Sequence, residues 1–107
     1  MNLDSNIKAL FIIVNAGYVN EVMETARKAG AMGGTVLKAR GEGKHHEVFM
    51  GISVDSEKEM ILCIVDEETA DKIMIAQKEK SGIKTPAHSI CFTMPIDKII
   101  GTNMSSL

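Results

Sequence analysis

The apolar positions of the chain fall into short continuous runs and two helical stripes, and their succession predicts the order of elements. Residues 8–15 (KALFIIVN) form an apolar run that closes at Asn15, Ala16 and Gly17, as a buried strand does. Over 18–29, Val19, Val22, Met23 and Ala26 recur at spacings of three and four, one face of an amphipathic helix. Arg27 and Lys28 lie in its last turn, where cations suit the helix dipole, and Gly30 follows as its C-cap. Residues 35–39 predict a second strand, 59–65 (EMILCIV) a third and 89–95 (SICFTMP) a fourth. Between the last two, Asp66 reads as an N-cap, with Glu67 and Glu68 in the first turn. Ala70, Ile73 and Met74 then keep helical spacing, which carries a second helix to about residue 80. Residues 81–88 (SGIKTPAH) form a loop, and the tail 101–107 is short and polar.

The order strand, helix, strand, strand, helix, strand is the split βαβ, or ferredoxin-like, arrangement. The expected class is α+β: one βαββαβ domain over 1–107, an antiparallel sheet with both helices on one face. In the first strand Leu10, Ile12 and Val14 oppose Ala9, Phe11 and Ile13. In the third, Met60, Leu62 and Ile64 oppose Ile61, Cys63 and Val65. Both faces are therefore apolar, whereas a sheet with one solvated face should alternate apolar with polar. Two helices cover only one face, so a second copy of the chain is expected on the other.

Residues 40–57 fit neither pattern. They hold three glycines, two adjacent histidines, mixed charge and the apolar cluster Val48, Phe49 and Met50. A segment of this length in a compact domain is often functional, and part of it is expected to form a hairpin arm.

Composition narrows the function. A net charge of −2 argues against a nucleic-acid binder, which needs a basic face. No apolar run reaches membrane-spanning length, and the N-terminus lacks the basic and apolar regions of a signal peptide, so a cytoplasmic protein is expected. Cys63 and Cys91 lie inside apolar strands, which suits buried reduced thiols. An apolar setting raises a thiol pKa, and no carboxylate pair or serine–histidine–acid set stands out, so no enzymatic role is expected.

The candidate chemistry is anion binding. Arg40, Gly41, Gly43 and Lys44 place two glycines among basic residues, where backbone and side chains can approach a phosphate. Glu57, Lys58 and Glu59 form a charge cluster at the start of a strand and are expected to be exposed, with Lys58 near the base of the long loop. His45, His46 and Glu47, with His88, are metal-ligand types. Adjacent residues of an extended chain point apart, so one ion would need a site between subunits.

Several stretches together resemble the PII-like signalling family, relatives of nitrogen regulatory protein P-II. They are 15–18 (NAGY), 21–24 (EVME), 29–36 (AGAMGGTV), 39–43 (ARGEG), 57–61 (EKEMI), 70–73 (ADKI) and 91–101 (CFTMPIDKIIG). The resemblance runs from about residue 8 to 101. It implies a ferredoxin-like homotrimer, with 41–56 as the T-loop that docks on a target, 81–88 as the B-loop and the chain after Pro95 as the C-terminal segment. It implies a regulatory protein that binds an adenine nucleotide in clefts between subunits and controls a transporter or enzyme. Thr35, Gly41 and Gly43 match cleft positions, Lys44 replaces a family arginine and Lys58 matches a lysine at the T-loop base, with Arg40 beside them. Val48, Phe49 and Met50 would meet the partner. The chain departs from the family where basic residues fall at Ile90, Gly101 and Asn103, where the B-loop reads Thr85, Pro86, Ala87 and His88, and at His45 and Leu62. Fewer phosphate contacts favour AMP or ADP over ATP. The alternative is a ferredoxin-like trimer that binds a divalent metal through His45, His46 and His88.

Overall fold

The computed structural model describes residues 6–41, 47–49, 52–54 and 56–101. Strand β1 (Ile7–Asn15) leads into helix α1 (Val19–Lys28). Strand β2 (Thr35–Gly41) follows, then the short pair β3 (Glu47–Phe49) and β4 (Ile52–Val54). The chain continues with β5 (Ser56–Asp66), α2 (Glu67–Ser81) and β6 (Ile90–Pro95). The main sheet has the order β2-β5-β1-β6, and every neighbouring pair is antiparallel. β3 and β4 pair with each other, with Val48 opposite Ser53, and make the expected hairpin in the long segment. Setting that hairpin aside, the chain has the ferredoxin-like order.

The two helices end as their sequences dictate. At the end of α1 the C-cap is Ala29, and Gly30 takes the next position at φ +120°. There the Gly30 N–H donates to the Arg27 carbonyl and the Ala31 N–H to the Ala26 carbonyl, a Schellman motif that only glycine enters without strain. At the start of α2 the Asp66 carboxylate accepts from the Thr69 N–H at 2.7 Å. That bond pulls the Asp66 pKa below its ordinary value.

The core lies between the helices and one face of the sheet. Leu10, Ile12 and Val14 of β1 and Ile61, Cys63 and Val65 of β5 are buried against Val22, Met23 and Ala26 of α1 and Ala70 and Ile73 of α2. The buried Gln77 Nε2 donates to the Val22 carbonyl at 3.0 Å and ties the helices together. The other face is also apolar. Phe11, paired with Leu62 and Phe92, stacks on Phe92 with ring centroids 5.1 Å apart. Ile13, Met60, Ile64, Leu37, Ile90 and Met94 extend that surface by strand alternation. Phe92 is 38% exposed, Ile90 and Met94 52% each and Leu37 49%.

Candidate functional site

The root of the arm is where the sheet turns from apolar to charged. At the ends of β2 and β5, Lys38 pairs with Glu59, Ala39 with Lys58 and Arg40 with Glu57. Together with Ala16 these residues line a cavity of about 400 Å³. Three cationic and two acidic side chains thus surround one recess, which takes in groups from both faces of the strand pair.

Fixed contacts set the geometry of this recess. Asn15, the last residue of β1, lies opposite Lys58, and its Oδ1 accepts from the Lys58 ammonium. Next along the turn, the Ala16 N–H donates to the Glu57 carbonyl at 3.0 Å and the Gly17 N–H to Glu59 Oε1 at 3.2 Å. Lys58 and Glu59 are therefore half-buried, a correction to the solvated cluster expected from charge alone. Gly41 makes room for the lysine: a Cβ there would lie 3.0 Å from Lys58 Cε and 3.4 Å from its Cγ. Any larger residue at 41 would press on the lysine stem.

The loop 82–89 lies next to the same turn. The Asn15 Nδ2 donates to the Pro86 carbonyl, and the Asn15 N–H donates to the Ala87 carbonyl, both at 2.9 Å. Ala87 is buried, and His88 adopts φ +49°, a left-handed conformation that costs a non-glycine residue about 1–2 kcal/mol. The His88 Nδ1 lies 2.8 Å from the Ile83 carbonyl. With Nδ1 as the donor, a neutral ring keeps only Nε2 as a possible metal ligand.

Of the residues singled out for anion binding, Arg40 and Lys58 line the recess at the arm root from the two faces of the strand pair, and Gly41 lies against the Lys58 stem. Thr35 lies at the far end of β2, opposite Leu62, and one protomer does not bring it to the recess. Gly43, Lys44, His45, His46 and Met50 fall outside the described residues, and Val48 and Phe49 are placed by the β3–β4 pairing alone. Asn15 is a site residue that sequence reasoning does not single out. Its position at a strand end before Ala-Gly reads as turn punctuation, and its role depends on register.

The thiols have no catalytic setting. Cys63 and Cys91 are both free and lie on the helix-covered side of the sheet. Burial raises the pKa of Cys63 and pushes that of Cys91 up to about 12, with nearby Cys63 adding to the second shift. At neutral pH both are thiols, not nucleophilic thiolates. Among the described residues no three His, Cys, Asp or Glu side chains come together to hold a metal, and no helix is long and apolar enough to cross a membrane.

Comparison with known proteins adds to this geometry. Residues 7–103 match the family model described as "Nitrogen regulatory protein P-II". No curated protein matches the chain in sequence. Among solved structures, the fold is similar to GlnK of B. subtilis, with TM-score 0.70 and 18% identity over 96% of this chain and 100% of that one. A GlnK–ATP complex from B. subtilis gives 0.65 and 14% identity over 88% and 84% of the two chains. A PII-like signalling protein from Thermus thermophilus gives 0.64 and 23% identity over 82% and 83%.

Proposed function

The chain belongs to the nitrogen regulatory protein P-II family of signalling proteins, which are regulators and not enzymes, and from that premise we propose that it is a cytoplasmic homotrimer that senses an adenine nucleotide at the arm root. The observation that carries this reading is the recess itself, lined by Lys58 and Arg40 from the two faces of the strand pair at the start of the arm, with Gly41 against the Lys58 stem. A phosphate group is the anion these cations suit, and hydrogen bonds to charged groups contribute about 1.5–3 kcal/mol each. The apolar outer face of the sheet supports closure by further copies of the chain. In that assembly Thr35 of one subunit would complete a cleft begun by another, with Gly43 and Lys44 as further ligands. Nucleotide binding at the arm root would shift the arm between conformations with different affinity for a target protein, such as a membrane transporter or an enzyme.

The ATP complex of GlnK supports an adenine nucleotide as the ligand class. Uncharged residues at Ile90, Gly101 and Asn103, where the family resemblance calls for basic ones, favour AMP or ADP over ATP. Val48, Phe49 and Met50 are the proposed target contacts. Isothermal titration with AMP, ADP and ATP tests the sensor reading. Saturable binding is expected, weakened about tenfold or more in Lys58→Met, since loss of one such contact removes at least about 1.5 kcal/mol. Absence of heat for all three, under conditions that detect micromolar binding, contradicts it.

A further inference from the structure

Asn15 joins the arm root to the loop that follows α2, and we propose that it is a positioning residue that couples anion binding at Lys58 to the conformation of residues 82–89. This inference rests on the reading of the arm root as an anion cleft, and it concerns how the cleft reports its occupancy.

The side chain of Asn15 is used at both ends. Its Oδ1 accepts from Lys58, while its Nδ2 donates to the Pro86 carbonyl 71 residues away in sequence. The orientation is dictated by the partners. An ammonium has no acceptor and a carbonyl no donor, so the oxygen must face Lys58 and the nitrogen Pro86. Lys58 therefore selects the amide orientation that holds the loop. A positive charge on Oδ1 also polarises the amide and strengthens Nδ2 as a donor, as happens in chains of hydrogen bonds.

The backbone around Asn15 is anchored separately from its side chain. The Ala16 and Gly17 N–H groups bind Glu57 and Glu59 of β5, and the Asn15 N–H binds the Ala87 carbonyl. The Lys58–Asn15–Pro86 chain, by contrast, runs through rotatable side-chain bonds from the recess to the loop. An anion that draws the Lys58 ammonium to itself frees Oδ1, lets the amide turn and loosens its hold on Pro86. The loop itself is wound by the Thr85 N–H to Gly82 carbonyl, His88 N–H to Thr85 carbonyl and Ser89 N–H to Ser81 carbonyl bonds. Those three amides report its state.

Hydrogen–deuterium exchange on the intact oligomer without nucleotide tests the coupling directly. Lys58→Met is expected to raise exchange at Thr85, His88 and Ser89, and Asn15→Leu to raise it too, with no further effect of Lys58→Met in that background. Unchanged exchange in Lys58→Met, or equal effects of that substitution in both backgrounds, overturns the proposal. ADP affinity supplies a second readout that a purely structural role would not move. Asn15→Asp neutralises Lys58 and should weaken ADP binding, while Asn15→Leu frees Lys58 and should strengthen it. Equal affinity in wild type and both variants overturns the coupling. Failure of ADP, AMP and ATP to bind wild type removes the nucleotide reading, and the nucleotide-free exchange cycle then decides the coupling by itself.

Discussion

The two faces of the main sheet are almost equally apolar, yet they are used differently. On the inner face Leu10, Ile12, Val14, Ile61, Cys63 and Val65 are buried under α1 and α2. On the outer face Phe11, Leu62 and Phe92 lie side by side across three strands, and none of them is buried in the protomer. The inner face holds the protomer together. Among the described residues no helix covers the outer face, as expected of a surface closed by association. In the proposed assembly the chain encodes two cores, one completed on folding and one between subunits.

Substitutions should separate these cores. The largest effect belongs to the inner face. Ile12→Ala, at a fully buried position, should destabilise the protein by about 2–5 kcal/mol in denaturant unfolding, through lost burial and the cavity left behind. On the outer face Phe92→Asp should act on assembly and not on the fold. It places a charge within the apolar surface beside Phe11 and should raise the oligomer dissociation constant about 100-fold or more in sedimentation experiments, about 2.7 kcal/mol. The far-ultraviolet circular dichroism should stay that of the wild type. If Phe92→Asp unfolds the chain instead, the outer face is part of the folding core and the distinction fails.

The smallest effect lies away from both faces. Asp66→Ala removes the cap of α2 and should cost about 1 kcal/mol at neutral pH. The Asp66 pKa is lowered in the folded state, so the cap's contribution is present above the unfolded value of about 4 and is lost as pH falls through the folded value. The difference between wild type and Asp66→Ala in thermal unfolding should therefore shrink at pH values below about 4.

Sequence periodicity makes the main elements legible because burial leaves a pattern along the chain. Continuous apolar runs in β1 and β5, period three to four in α1 and the Asp66 cap carry enough local information to place each element. The apolar outer positions of the strands also show that the helices cover only half of the sheet. The site is only partly legible. Arg40, Gly41 and Lys58 stand out by residue type; the structure places Arg40 and Lys58 along one recess and Gly41 against the lysine stem. Lys58 and Glu59 read as a solvated cluster because their partners, Asn15 and the Gly17 N–H, are more than 40 residues away in sequence. Asn15 itself is unremarkable until β1–β5 register sets it against Lys58 and the loop 82–89 folds onto its other side. Thr35, which lies at the opposite end of β2 from Lys58's partner Ala39, marks how far the proposed cleft depends on a second subunit.

Copies of this chain are proposed to close the outer face and so complete the nucleotide cleft. Native mass spectrometry with ADP tests it most directly. A species three times the 11.6 kDa chain mass is expected, with up to one nucleotide for each cleft, and no nucleotide on the monomer released by Phe92→Asp. A wild-type protein that remains at the single-chain mass, or a monomer that binds ADP as tightly as the assembly does, would contradict it.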